Sequence, residues 1–255
     1  MSAILAKITS ETLLSFYPEF VKQSKLSIPL QLWSRFFAYS AISFLFVDYS
    51  FVWNALFQPV SLLLAVVTLF HVGVSYVGFD ALSSGVGFTL FYCYPLLILL
   101  FSGYRVPWLT LLVVAGAFML AFQSGLFGVG MVLLAAITEA LIYFIVKKIH
   151  TPNPWNHLLL SYFLGLVALT AYCWRDLNAT TLTQSVGINT GLGLFGYVLL
   201  FYSVPRLSPL VYSILSMIGI FMSFVYGYVY DETPTWLEVG GACLIAIAVA
   251  LSKKA

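Results

Sequence analysis

Charged side chains are scarce in this sequence: Asp, Glu, Lys and Arg make up 8% of its 255 residues, where a soluble globular domain carries about 25%. So few charges cannot cover a water-facing surface. With 62% hydrophobic residues and a mean hydropathy of +1.01, the chain reads as an all-α integral membrane protein. Other absences narrow its function. The three cysteines, Cys93, Cys173 and Cys243, lie in or beside apolar runs without metal-ligand spacing or a disulfide pattern. There is no nucleophile elbow, phosphate loop or HExxH. The run Gly191-Leu192-Gly193-Leu194-Phe195-Gly196 sits in an apolar segment with no strand before it, so it is not a nucleotide fingerprint. His150 and His157 flank a Pro-containing loop with no third ligand nearby. No metal, no cofactor and no enzymatic reaction are expected. A net charge of +2 without a basic stripe gives no reason to expect nucleic acid as a partner. Lys7, Ser10 and Glu11 interrupt the N-terminus before a long apolar core develops, so the first span is expected to be retained.

What the chain does have is apolar runs of about the length that crosses a bilayer, roughly 20 residues each. Pro, Gly, Asn, Asp and Lys punctuation divides it into ten segments: 3–23, 29–47, 53–77, 81–102, 106–122, 126–148, 155–174, 186–204, 208–229 and 235–252. All six tryptophans, Trp33, Trp53, Trp108, Trp155, Trp174 and Trp236, fall near a segment end, as an interfacial belt requires. With the N-terminus inside, seven basic residues lie on the cytoplasmic side and three outside, which favours cytoplasmic termini. Five helices per half make the second half enter from the opposite face. The expected architecture is therefore ten transmembrane helices in two inverted five-helix repeats, 1–122 and 123–255, the arrangement that puts a site at the midplane.

Within the sixth segment stands Glu139. A charge at the bilayer centre costs roughly 2.5–3.5 kcal/mol on insertion scales and is rarely present without a partner or a task. Its surroundings, Thr138-Glu139-Ala140-Leu141-Ile142-Tyr143-Phe144, repeat the order of Ser10-Glu11-Thr12-Leu13-Leu14-Ser15-Phe16, half a chain earlier. Glu11 and Glu139 are thus candidates for a proton-sharing pair. The alternative for Glu11 is an ion pair with Lys7 one turn earlier. Glu19 is expected to be a solvated helix-end charge. Arg35 either meets an anionic substrate or snorkels to the interface. Tyr76, Tyr92 and Tyr197 are candidate cavity-lining residues, flat apolar faces with a polar tip. Pro18 and Pro95 are expected to break the first and fourth helices. The glycines of the eighth segment read as packing residues.

The stretch from Pro209 to Leu251, with its acidic turn Asp231-Glu232-Thr233-Pro234-Thr235 and its Gly240-Gly241-Ala242 run, resembles the closing part of the drug/metabolite transporter superfamily, in particular the EamA-like ten-helix carriers. Lys22 and Arg35 are similar to the Lys and Arg of that family's opening helices. After the fourth helix the chain departs from the pattern: Ser102-Gly103-Tyr104-Arg105 stands where an acidic turn is expected. The resemblance implies a secondary active transporter of a small organic metabolite, such as an amino acid or nucleotide derivative, working by alternating access with proton coupling or exchange. Its substrate-binding residues would be Glu139, Glu11, Tyr76, Tyr92, Tyr197 and Arg35. Its expected setting is a bacterial inner membrane, with membrane lipids as neighbours and a homodimer left open. The alternative is a non-transporting interaction or lipid-handling protein on the same fold.

Overall fold

A computed structural model describes residues 2–105, 115–116, 119 and 125–254. The expected fifth segment, with Pro107, Trp108 and Leu109, falls almost wholly outside the described residues. Six described segments are long and apolar enough to cross a membrane: Pro59–Ala81, Ser84–Phe101, Leu126–Lys148, Pro154–Cys173, Leu182–Ser203 and Pro209–Val229; Trp236–Ala250 is a shorter apolar helix. Helices dominate because only intrachain hydrogen bonds can satisfy a backbone surrounded by lipid. Among the described residues the only strand pairing is a two-residue antiparallel pair, Tyr104 opposite Lys254 and Arg105 opposite Lys253. It follows a turn at Gly103, whose φ of 81° suits a residue without a Cβ.

The N-terminal segment is two helices, α1 (Ala3–Leu14) and α2 (Tyr17–Gln23), and the fourth segment is also two, α6 (Ser84–Phe91) and α7 (Tyr94–Phe101). Each break has one cause. A proline ring clashes with the carbonyl four residues earlier, and α1 and α6 end at Leu14 and Phe91, four residues before Pro18 and Pro95. The chain between α3 (Ile28–Ser43) and the next span differs from the sequence expectation. A separate short helix, α4 (Tyr49–Ala55), precedes α5 (Pro59–Ala81), so residues 53–58 do not belong to the span. Asp48 starts α4 by accepting from the backbone N–H groups of Ser50 and Phe51. After α8 (Leu126–Lys148) and α9 (Pro154–Cys173), the eighth segment is α10 (Ala179–Ile188), a π-helical stretch at Asn189–Leu194 and α11 (Phe195–Ser203). The last helices are α12 (Pro209–Val229) and α13 (Trp236–Ala250).

The contacts divide the chain into two compact units. The first is Met1–Leu14, Gln23–Gly73 and Leu141–Arg206; the second is Ser15–Lys22, Val74–Ala140 and Leu207–Ala255. Each draws on both expected halves of the sequence. In the first unit α3 packs along α9 and α1 along α11. Small residues let these backbones approach. A Cβ on Gly165 would lie 2.3 Å from the Phe36 ring, and one on Gly196 would lie 2.6 Å from Leu14 Cδ2. In the second unit α12 packs against α6, α7 and α13. Cys93, Cys173 and Cys243 are free thiols.

Candidate functional site

The contact of Phe36 with Gly165 sets the register of α3 on α9, and one residue away on α3 it brings Arg35 to Tyr162. Arg35 Nη2 donates to the Tyr162 hydroxyl at 3.0 Å. Its guanidinium carbon lies 4.6 Å from the centre of the Tyr197 ring, 5.5 Å from Tyr39 and 5.7 Å from Tyr162. Tyr39 is one helical turn after Arg35, which puts both on the same face. The side chain does not snorkel: Arg35 is 3% exposed. Tyrosine faces carry negative quadrupole density, so three rings around a guanidinium attract it electrostatically, each by about 0.5–2 kcal/mol.

Beside this cage a polar chain fixes the π-helical stretch to α3. The hydroxyls of Ser34 and Ser185 are 2.6 Å apart, and Asn189 Nδ2 donates to Ser34 Oγ at 3.2 Å. Asn189 opens the wide turn and is buried. π-Bulges of this kind are frequent at functional sites. In the sequence the glycines of this stretch read as packing residues only. The sequence reading also did not select Tyr39, Tyr162 or Asn189. The one available signal was the spacing of four between Arg35 and Tyr39.

Glu11 lies in the same unit, 2% exposed, and forms an ion pair with Lys7, which is 0% exposed. This is the pairing the sequence offered as the alternative for Glu11. The adjacent Ser10 hydroxyl donates to the Gly196 carbonyl at 2.8 Å and holds this part of α1 on α11.

The second unit contains Glu139, Tyr76 and Tyr92, all buried. Glu139 sits on α8 beside Thr138, whose hydroxyl donates to the carbonyls of Leu134 and Ala135 on its own helix. Around the two proline breaks the tyrosines gather. The Tyr17 and Tyr76 rings are 6.2 Å apart, and those of Tyr92 and Tyr94 are 5.6 Å apart. Tyr94 donates to Ser216 Oγ at 2.9 Å. Tyr92 fills the notch of Gly219, where a Cβ would be 1.7 Å from its hydroxyl oxygen. The Gly219 carbonyl accepts from Ser15, in the α1–α2 break, at 3.1 Å. Ser213 donates to the Pro95 carbonyl at 3.1 Å. Through these hydroxyl–carbonyl hydrogen bonds the α1–α2 break and the start of α7 are tied to α12.

At one end of this unit the acidic turn acquires a geometric role. Helix α12 ends in a Schellman motif: Glu232 N–H donates to the Gly227 carbonyl at 2.9 Å and Asp231 N–H to the Tyr228 carbonyl at 3.2 Å. Asp231 adopts the left-handed conformation, φ 65°. The reversal delivers Glu232 to the start of α6, where its Oε2 accepts from Ser84 N–H at 2.6 Å and its Oε1 pairs with Lys22. A carboxylate is favoured at a helix N-terminus. Lys22 Nζ also donates to Ser84 Oγ at 3.0 Å. Glu19, expected to be solvated, is instead buried with Oε1 lacking a hydrogen bond among the described residues. The reversal of the chain and the turn of α2 enclose it, which a linear reading could not show.

The six sequence candidates therefore separate into two sets. Arg35 and Tyr197 are brought together, with Glu11 elsewhere in their unit; Tyr76, Tyr92 and Glu139 belong to the other. No cluster of three or more His, Cys, Asp or Glu suited to a metal exists among the described residues.

No curated protein matches the chain. Among the solved structures that match is one described only as the crystal structure of a protein, with a TM-score of 0.67 and 17% identity, covering 98% of this chain and 97% of that one. At that identity the likeness establishes the fold alone. The model of the EamA-like transporter family matches residues 126–253, half of the chain. Six apolar spans and this match lead to one conclusion: the chain is a multi-pass membrane protein that belongs to the EamA-like transporter family of the drug/metabolite transporter superfamily.

Proposed function

We propose that the protein is a secondary transporter that moves a small organic metabolite by alternating access, either proton-coupled or as an exchanger. The observation that carries this reading is the Arg35 cage. A charged group at membrane depth is retained for a task more often than for stability. Aromatic rings around a guanidinium leave its charge intact, and a guanidinium is the group with which proteins take a carboxylate or phosphate. A metabolite with an anionic group and an apolar or aromatic body suits Arg35 and Tyr197 of the first unit. Glu139 and Glu11 are the proposed proton carriers.

Support for an inverted repeat comes from the pairing of helices. In the first unit the second segment packs on the seventh, and in the second unit the fourth packs on the ninth. Each is a pairing of one segment with its counterpart five places later, as a pseudo-two-fold arrangement produces.

The test begins with a thermal-shift screen of the purified protein against anionic metabolites, since a ligand that binds only the native state raises its apparent stability. Uptake of the best hit into proteoliposomes is then driven by a pH gradient. Glu139→Gln is expected to abolish the proton dependence while the protein stays folded. Unchanged proton dependence removes Glu139 from the coupling mechanism, and absence of uptake of any stabilising ligand favours the non-transporting alternative.

A further inference from the structure

The chain between α3 and α5 carries a feature that transport does not use. Helix α4 has three distinct faces. Val52, Ala55 and Leu56 are buried against the first unit. Tyr49 and Trp53 on the helix, and Phe57 in the turn after it, recur at intervals of four and are 62%, 76% and 70% exposed. Ser50, Asn54 and Gln58, again four apart, line an open cleft of about 470 Å³. That volume is within the ~300–1,000 Å³ of small-molecule sites.

The cleft is also lined by Lys148 at the end of α8, by His150 just after it, and by Asp48. The cleft thus holds a permanent cation, a carboxylate and neutral amides and hydroxyls together. All of these elements lie where spans end: α3 has just finished, α5 is about to begin, and α8 terminates in Lys147 and Lys148. A Trp and Tyr row at that level is what the membrane–water interface selects, the rings among headgroups and the polar tips outward. The aromatic row and the polar cleft are adjacent faces of one helix, so a molecule in the cleft would have its apolar part alongside Tyr49, Trp53 and Phe57.

We propose that this cleft binds the headgroup of a zwitterionic phospholipid bearing a primary ammonium, of the phosphatidylethanolamine type. Lys148 and His150 take the phosphate. Asp48 takes the ammonium, whose N–H groups a carboxylate accepts and a quaternary amine lacks. Asn54 and Gln58 supply neutral contacts between the two charges, and the acyl chains continue along the aromatic row into the bilayer. Charge complementarity selects this occupant: a purely anionic headgroup meets Asp48 as a like charge, and a choline headgroup leaves Asp48 without a donor. The site is independent of the transport reading and stands whether or not a metabolite is carried.

The test is native mass spectrometry of the full-length protein in detergent, titrated with phosphatidylethanolamine, phosphatidylcholine and phosphatidylglycerol of equal chain length. Wild type is expected to retain phosphatidylethanolamine about tenfold more strongly than either of the others, as one charge-assisted contact of about 1.4 kcal/mol provides. Asp48→Asn reduces that preference to near unity, whereas Lys148→Ala weakens retention of all three lipids by about the same factor and Lys148→Arg restores it. Equal retention of the three lipids by wild type overturns the proposal and needs no variant to be seen. So does an unchanged preference in Asp48→Asn, or undiminished retention of all three lipids in Lys148→Ala. Water-soluble glycerophosphoethanolamine competing at the same concentration as the lipid also overturns it, because the cleft would then be a metabolite site without use for the aromatic row.

Discussion

The guanidinium of Arg35 faces the Tyr197 ring at 4.6 Å while donating to Tyr162 at 3.0 Å, a buried cation held by aromatic side chains from two further helices. Such an arrangement is expensive to desolvate, and replacing buried charged groups with apolar side chains of similar volume is often neutral or stabilising. Arg35→Met therefore separates structure from function. It is expected to unfold within a few degrees of wild type in a thermal melt and to lose at least about tenfold in uptake of an anionic substrate, the equivalent of one contact of about 1.4 kcal/mol. A large fall in melting temperature would instead assign Arg35 to packing.

Lys7 and Glu11 form a buried ion pair along α1. Removing one partner of such a pair leaves an uncompensated charge and costs about 3–5 kcal/mol, whereas removing both costs far less. Lys7→Met and Glu11→Leu are each expected to destabilise the protein strongly, and the double variant to recover most of the loss. The thermal double-mutant cycle measures this directly. If the double variant also transports normally, Glu11 serves only the fold, and proton coupling falls to Glu139.

The membrane character of the chain was legible because the scarcity of charge leaves no other solvent, and the proline breaks were legible because the clash with the carbonyl four residues back is local. The family resemblance carried by the Asp231–Thr235 turn was legible for the same reason. The Arg35 cage was legible only in part. Arg35 and Tyr197 stood out as residue types, but Tyr162 reaches Arg35 through the close approach of α3 at Gly165, a packing event between segments over a hundred residues apart. Glu19 was misjudged because its depth depends on how α2 and the end of α12 enclose it. The end of helix α4, from Trp53 on, was absorbed into the following span because Trp53 is as apolar as a residue of a membrane helix. Nothing in hydropathy distinguishes Trp53 at an interface from Trp53 within a span.

Asp231 occupies the left-handed position that ends α12, a conformation costing roughly 1–2 kcal/mol for an L-residue with a Cβ and least for Gly, Asn and Asp. Asp231→Gly is expected to leave the melting temperature unchanged or slightly raised. Asp231→Val is expected to lower it by about 2–4 °C for each kcal/mol lost. Because the same reversal sets Glu232 on Ser84 and Lys22, Asp231→Val should also abolish any coupling between Lys22 and Glu232 in a double-mutant cycle. Coupling that survives in the Val variant would show that the turn is not what positions Glu232.

Asp48 gives the chain a predictable response to acid. Its Oδ1 accepts from Ser50 Oγ at 2.8 Å, from Ser50 N–H at 3.0 Å and from Phe51 N–H at 3.2 Å. These bonds, that from the Ser50 hydroxyl foremost, hold its carboxyl below the usual carboxylate range. A group whose folded pKa lies below its unfolded one binds protons more readily when unfolded. Its stabilisation is therefore fully present above the unfolded value of about 3.9 and disappears as the pH falls through the folded value. Asn caps a helix about as well as Asp but does not titrate there. The difference in melting temperature between wild type and Asp48→Asn is thus expected to be constant from neutral pH down to about 5 and to change in favour of the variant below about 4. A difference that stays constant across the whole range would mean that the cap at α4 does not depend on the charge of Asp48.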